Sequence, residues 1–376
     1  MLASADDEVD AQEIQMKIVH VETGRHFYGG AQQVIWLIKS LVARNVESIL
    51  VCPAESEIDA VARGAGLTVA NIPCAGEHDF RFAWRLHSFL HHEKPGIVHC
   101  HSRRGADFPG GWAALVGGIP AIVTRRVDSP ESPLAASIRY KPFSEVVAIS
   151  ENIAGVLRKS GVAEKRLSII RSTVDADAIE ANVPRSILKD KFDIRPDAYA
   201  IAVVAQLIKR KGHRFLLDVL PGLLETQPQI KVVLFGSGSG EAQLRALTKK
   251  LGLSGAVQFA GFHDDLDDFL GAFDLLVHPA EREGLGVAML KAAAAGLPVI
   301  AFDAAGSAEA VRHGKTGILV PPGDLIALQK AIGVLIREVE IGPQLGQAGR
   351  QWMLDEFAVG AMVDSYCALY EKVLNE

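Results

Sequence analysis

The sequence predicts an α/β protein built on two doubly wound parallel sheets, and three observations carry that reading. Short β-branched runs alternate with stretches of helical period along nearly the whole chain, which is the pattern of βαβ units. The runs are almost continuously apolar, as strands covered on both faces are. One polar, charge-rich interval at 175–195, holding Pro184, breaks the series, and a fresh alternation follows it.

In order, the first series is KIVHVE (17–22), SILVC (48–52), LTVANI (67–72), GIVHC (96–100), PAIVT (120–124), EVVAI (145–149) and RLSII (166–170), with helices from Ala31 and through Arg81–His92 among those between. The second is YAIAVVA (199–205), a helix from Lys211, IKVVLFG (230–236), AVQFAG (256–261), DLLVHP (274–279), LPVIAF (297–302) and GILVP (317–321), then helices. The last segment, Phe357–Asn375, spaces Met362, Tyr366, Leu369, Tyr370 and Val373 for one helix face. The expected organisation is an acidic leader (1–15), a first domain (16–180), a second domain (181–355) and a closing helix (356–376). Ligands of such sheets bind beyond the carboxyl ends of the strands, so the loops there are where chemistry is to be sought.

Composition removes several classes. With 49% hydrophobic residues among 376, the chain is not disordered as a whole. A net charge of −6 speaks against nucleic acid as a partner. The four cysteines, Cys52, Cys74, Cys100 and Cys367, lie far apart and make neither a disulfide framework nor a metal-ligand spacing. The longest uncharged run, Phe108–Thr124, is broken by six Gly and Pro residues and is too short to span a bilayer. The leader carries five acids and no base, the reverse of a signal peptide, so a cytoplasmic location is expected.

Candidate site residues sit at strand ends. Gly29–Gly30 precede a helix, where N–H groups can approach an anion, although a tight β–α turn explains them equally well. His101 ends the fourth strand, sharing a strand face with His99; further zinc ligands at suitable spacing are not evident. A histidine there can bond a sugar hydroxyl or move a proton. Residues 101–172 hold eleven Lys/Arg and six Asp/Glu, including the pairs Arg103–Arg104 and Arg125–Arg126, which suit an anionic acceptor or a solvated face. Lys211, at a loop–helix junction, can neutralise a diphosphate. The turn at Gly236–Gly240 hints at dinucleotide binding, but its spacing is not GxGxxG, and it is expected to leave room for a ligand. Glu283 with Gly284–Val287 places a carboxylate beside exposed helix N–H groups, a pairing suited to sugar hydroxyls and phosphate.

In combination and order, GGAQ (29–32), VHCHS (98–102), KRKG (209–212), GSG (236–238), EGLG (283–286), AAAAGLPVIA (292–301), AGSAE (305–309) and GKTGILVPPGD (314–324) resemble the retaining family 4 (group 1) glycosyltransferases of the GT-B fold. The resemblance covers residues 16–376. It implies hexosyl transfer from a UDP-sugar or GDP-sugar to a glycan or lipid-linked acceptor, as in lipopolysaccharide or exopolysaccharide synthesis. It places the donor in the second domain and the acceptor in the first, and the closing helix back on the first domain. His101, Lys211 and Glu283 become the catalytic candidates. Gly29, Gly30, Gln206, Gly236, Gly238, Phe262, Gly284, Leu285, Gly286, Val287 and Lys291 become donor contacts, and Arg103, Arg104, Arg125 and Arg126 acceptor contacts. Neither metal nor organic cofactor is implied, and the basic residues suggest peripheral contact with an anionic inner membrane. Three positions depart from the family: Gln206 for an Arg, Lys291 for the second Glu of Glu-x7-Glu, and Arg171-Ser172-Thr173 for Asn-Gly. Lys291 reaching back to replace the missing Arg is one reading; a silent sugar-nucleotide-binding module, a nucleotide-sugar epimerase and an NAD-linked oxidoreductase are the rival functions.

Overall fold

The computed structural model describes residues 16–101 and 105–376. The acidic leader and two of the expected acceptor residues, Arg103 and Arg104, lie outside the described residues.

The first sheet contains β1 (Lys17–Val21), β2 (Glu47–Cys52), β3 (Thr68–Asn71), β4 (Ile97–Cys100), β5 (Ala121–Arg125), β6 (Glu145–Ala148) and β7 (Leu167–Ile169), in the order β3-β2-β1-β4-β5-β6-β7. Its helices are α1 (Gly29–Ala43), α2 (Glu57–Gly64), α3 (Phe80–Glu93), α4 (Phe108–Val116), α5 (Pro133–Tyr140) and α6 (Glu151–Lys159). After α7 (Ser186–Phe192) comes the second sheet: β8 (Tyr199–Val204), β9 (Ile230–Phe235), β10 (Val257–Gly261), β11 (Leu275–His278), β12 (Val299–Phe302) and β13 (Gly317–Val320), in the order β10-β9-β8-β11-β12-β13. Its helices are α8 (His213–Thr226), α9 (Glu241–Lys250), α10 (Val287–Ala294), α11 (Ser307–Ala310), α12 (Leu325–Arg337) and α13 (Ile341–Glu356), and α14 (Val359–Asn375) closes the chain. No helix among the described residues is long and apolar enough to cross a membrane.

The described residues divide into two compact units, one of residues 16–101, 105–123, 142–144 and 372–376, the other of residues 124–141 and 145–371. In the first, Val34 and Ile38 of α1 and Ile58 and Ala62 of α2 pack on Leu50 and Cys52 of β2. In the second, Leu216 and Leu220 of α8 and Leu328 and Ile332 of α12 bury against Ile201, Val203, Val232 and Ile300. Every strand between covered faces is apolar, as its sequence requires. Serine and aspartate start several helices: Ser56, Asp79, Ser132, Ser150 and Asp324 each accept a first-turn N–H. In each sheet the strand order reverses beside the first strand, between β1 and β4 and between β8 and β11. Loops diverge at such points and open a crevice, which fixes where the site residues collect.

One feature departs from the sequence reading. The interval 175–195 is not a bare connection: it forms α7, whose Leu188 and Phe192 are buried, with Phe192 edge-on to Phe235 and Phe269. Arg185 fastens it through two 2.7 Å bonds to the Asp274 carboxylate. In α14, Tyr366 bonds Thr124 of β5 at 2.9 Å and Tyr370 is wholly buried.

Candidate active site

The crevice at β8 and β11 brings together what the sequence separates by some seventy residues. β8 runs into a loop that ends in a tight turn at Lys209–Lys211, and Gly212, at φ +70°, redirects the chain into α8. A Cβ there would stand 1.7 Å from the Pro279 carbonyl oxygen, so only glycine fits. β11 ends at His278, and its loop leads to α10. Glu283 lies between these two loops. Its Oε2 accepts from Lys211 Nζ at 2.5 Å and from His278 Nε2 at 2.7 Å, and Oε1 accepts from the Gly284 N–H at 3.1 Å. Burial by itself would raise the Glu283 carboxyl; the His278 bond and charge and the Lys211 ammonium outweigh it and hold the group well below the usual carboxylate range. An ionised carboxylate only accepts, so His278 donates from Nε2. The result is a buried, ionised acceptor with a cation against it.

His213 stands one helical step beyond Gly212. It is buried, and neither ring nitrogen has a hydrogen-bond partner. Burial, then the neighbouring His278 and Lys211 charges, push its pKa down to about 4 from an ordinary 6.5. A base with a depressed folded pKa binds its proton first in the unfolded chain, so stability falls as pH drops from 6.5 towards 4. His213→Leu should remove up to about 3 kcal/mol of that acid loss; an unchanged slope of unfolding free energy against pH in this window would exclude the effect. Glu283 contributes in the same direction but below its unfolded pKa of 4.5, so the two windows separate.

The Glu283 loop is held from outside as well. Ser150, the cap of α6, donates from Oγ to the Gly284 carbonyl at 2.7 Å, and Asn152 Nδ2 donates to the Glu283 carbonyl at 3.0 Å. Glu309 of α11 accepts the backbone N–H groups of Glu151 and Asn152, both at 2.8 Å, so its carboxylate sits on the amino end of α6. Gly306 lets these segments close up, since a Cβ there would lie 2.4 Å from the Glu283 and Gly284 carbonyl oxygens. His278, Asn152 and Glu309 were missed by sequence reasoning. The histidine ending the DLLVHP strand and the AGSAE run were the available signals.

The other expected donor contacts divide. Gln206 is exposed and Phe262 largely so. Leu285 is buried and offers only backbone, and Gly286, at φ +85°, caps α10, which has no side-chain cap and starts at Val287. The Gly236–Gly240 turn does not leave room for a ligand where its missing side chains would be. Added Cβ atoms at Gly236 and Gly238 would strike the Ala205 and Leu207 carbonyl oxygens at 2.2 and 2.6 Å. The glycines allow two backbone loops to approach, joined by Leu207 N–H to Ser237 O at 3.0 Å. Lys291 pairs with both oxygens of Asp267 at 2.9 and 2.7 Å, so its ammonium is engaged there and the compensation reading loses its free cation.

Arg125 is not the acceptor contact expected of it. It is 3% exposed; its guanidinium donates to Val127 O and Ser129 O at 2.9 and 2.6 Å and lies 3.7 Å from Glu131. A buried cation is retained only when paired in this way, and the group braces the loop after β5. Arg126 is half-buried, with Nη1 3.4 Å from Ser172 Oγ.

In the first unit, His101 meets a partner the sequence did not indicate. His20 of β1 is in register with His99 of β4, and the three imidazoles cluster, His99 tilted against His101 at 3.8 Å and His101 stacked on His20 at 5.3 Å. His20 Nδ1 lies 3.0 Å from His101 Nε2. Three buried imidazoles within reach of one another invite a metal, and their ring nitrogens lie within 4.8 Å. The His99–His101 contact is tighter than the roughly 5 Å centroid spacing of two imidazoles on one tetrahedral zinc. Burial instead pushes His20 down to about 3, keeping it neutral. One hydrogen is shared between His20 Nδ1 and His101 Nε2, which ties the two rings to each other. Nearby, α1 begins at Gly29 with no side-chain cap.

A family model for glycosyl transferases group 1 matches residues 184–352, and one for Glycosyltransferase Family 4 matches residues 28–178. The chain belongs to the family 4, group 1 glycosyltransferases. Among its relatives, the glycosyltransferase is 24% identical to the lipopolysaccharide core biosynthesis glycosyltransferase LpsE of Rhizobium meliloti, over 94% of this chain and 98% of that protein. It is 26% identical to 2-deoxystreptamine glucosyltransferase of Streptomyces kanamyceticus, over 74% and 77%. The structure of Anabaena HepE in complex with UDP and glucose matches with a TM-score of 0.86 at 19% identity, covering 95% of this chain and all of that one. That likeness shows the GT-B fold of the glycosyltransferase.

Proposed function

We propose that the glycosyltransferase moves a hexosyl unit, with retention of anomeric configuration, from a nucleoside-diphosphate sugar to a glycan or lipid-linked acceptor in lipopolysaccharide or exopolysaccharide synthesis. The observation that carries the reading is Lys211 and His278 converging on the ionised Glu283 carboxylate just ahead of α10. Such a carboxylate accepts hydrogen bonds from sugar hydroxyls and so orients the donor. Lys211, drawn from Glu283 to the donor, would meet the negative charge that builds on the leaving diphosphate, and the uncapped start of α10 adds N–H groups to the same task. On this reading Lys211 and those N–H groups neutralise the leaving group and the reaction needs no resident metal. His101 would contact the donor sugar, and the leaving phosphate would take the acceptor proton.

A UDP-sugar is favoured because HepE is described in complex with UDP-glucose. A GDP-sugar is the competitor, since a phosphatidylinositol monomannoside mannosyltransferase of Mycolicibacterium smegmatis, 29% identical over 47% of this chain, is GDP-mannose-dependent. The lipopolysaccharide core relatives support the acceptor class. Nucleotide release should be measured across UDP- and GDP-sugars with and without a rough lipopolysaccharide acceptor and with EDTA, and the product anomer read by proton NMR. Acceptor-dependent release of UDP, insensitive to EDTA, with an anomer matching the donor is expected. Acceptor-independent turnover, or an inverted product, overturns the reading.

A further inference from the structure

The first unit carries an apolar surface that the proposed chemistry does not use. The start of α3 reads FRFAWR, three aromatics and two arginines in six residues. Phe82, Leu86 and Leu90 are buried and fasten the helix. Phe80 and Trp84, one turn apart, are 74% and 72% exposed. Beside α3 runs α4, joined to it where His87 Nδ1 lies 3.4 Å from the Ala113 carbonyl oxygen. It too exposes apolar side chains, Leu115 at 43% and Val116 at 72%. Between the two helices is a cavity of about 290 Å³ lined by Phe80, Ala83, Phe108, Pro109 and Trp112, with Glu77 and His78 also on its wall. Lone exposed hydrophobes are ordinary; exposed aromatics one turn apart, beside an apolar cavity, form a patch that calls for a cover.

The charges say what the cover is. Arg81, between the two aromatics, is exposed and makes no ion pair among the described residues. Arg85 is turned inward by Asp79 at 3.3 Å and by the Pro73 carbonyl. Trp and Phe flanked by a free arginine fit the boundary between headgroups and acyl chains, where a ring is half in hydrocarbon and a guanidinium meets phosphate. A purely apolar partner face would leave Arg81 without an anion.

We propose that α3 and α4 form a docking surface for an anionic lipid bilayer: Phe80 and Trp84 enter at headgroup depth, Arg81 pairs with lipid phosphate, and the cavity accepts hydrocarbon from the same leaflet. This deepens the reading of a lipid-borne acceptor and replaces Arg125, which is buried and paired, as the source of membrane contact.

The test uses the full chain and needs no sugar transfer. The protein is sedimented with phosphatidylglycerol–phosphatidylethanolamine vesicles and, in parallel, with phosphatidylcholine vesicles, while tryptophan emission is followed. Expected are binding to the anionic vesicles and a blue shift that Trp84→Phe diminishes, the remainder coming from Trp112 in the cavity. The pair Phe80→Ser with Trp84→Ser should lower partitioning more than tenfold. Arg81→Ala should lower it about fivefold on phosphatidylglycerol and leave phosphatidylcholine unaffected, the scale of one basic residue at a charged surface. UDP affinity by calorimetry should be the same in every variant, which shows that each folds. Partitioning unchanged in the double variant overturns the proposal. So does a parent dimer in sedimentation velocity that the double variant lacks, since a second copy then covers the patch. Vesicle binding without transfer to any lipid-linked acceptor would instead sink the acceptor reading and leave this surface standing.

Discussion

Glu283→Ala and Lys211→Ala are each expected to cut turnover by about 100-fold or more, the scale of a lost transition-state contact. The two should differ in stability. Lys211→Ala leaves the buried Glu283 carboxylate with His278 as its sole side-chain partner, a cost of about 3 kcal/mol for breaking a buried pair from one side. Glu283→Ala removes the buried charge itself and leaves Lys211 able to reach water. Single-turnover rates with a sugar nucleotide, beside denaturant unfolding of each variant and of the double, would separate the roles. If the double variant unfolds no more easily than Lys211→Ala alone while both singles lose catalysis, the pair acts as one unit. Near-normal rates in either single variant would remove it from the mechanism.

Gly212→Ala should be the most damaging glycine replacement near this site. The residue adopts φ +70°, and a Cβ would overlap the Pro279 carbonyl oxygen at 1.7 Å, so backbone has to move. A loss of about 3 kcal/mol is expected from strain and overlap together. Gly314→Ala is the control: φ is +71° but nothing lies within 4 Å, so strain alone, about 1 kcal/mol, should appear. Because Gly212 follows Lys211 and Pro279 opens the loop to Glu283, turnover should fall with stability in the first variant and not in the second. Equal unfolding midpoints for the two would show that the Pro279 contact is relieved at no cost.

The sheets were legible because each strand carries its own apolar, β-branched run, a local property. Lys211 and Glu283 were legible because strand-end loops collect ligands in this architecture, whatever the details of packing. What joins them was not. His278 acts through a carboxylate five positions away whose direction depends on the turn between, and the Asn152 and Glu309 contacts span 131 and 157 positions. A count of charges marked Arg125 as basic but could not show Glu131 folding under it. The polarity of 175–195 concealed α7, since seven residues with two buried side chains give too short a period to stand out. Glycine proved ambiguous: at 236 and 238 it lets neighbouring backbone approach closely, a need the sequence pattern did not reveal.

The four hydrogen bonds by which Ser150, Asn152 and the first amides of α6 grip Glu283, Gly284 and Glu309 decide how this chain can be recombined with its relatives. Enzymes of two similar halves invite chimeras that couple one parent's acceptor half to another's donor half. A splice near residue 180, where the sequence alone would place it, takes α6 from one parent and the Glu283 loop from the other. The hybrid inherits both sheets intact and still loses register at the carboxylate proposed to orient the donor. A splice that carries residues 145–371 as a block keeps cap, loop and Glu309 from a single parent. The hinge of modularity in this glycosyltransferase therefore lies upstream of β6, inside what the strand pattern presents as the first half.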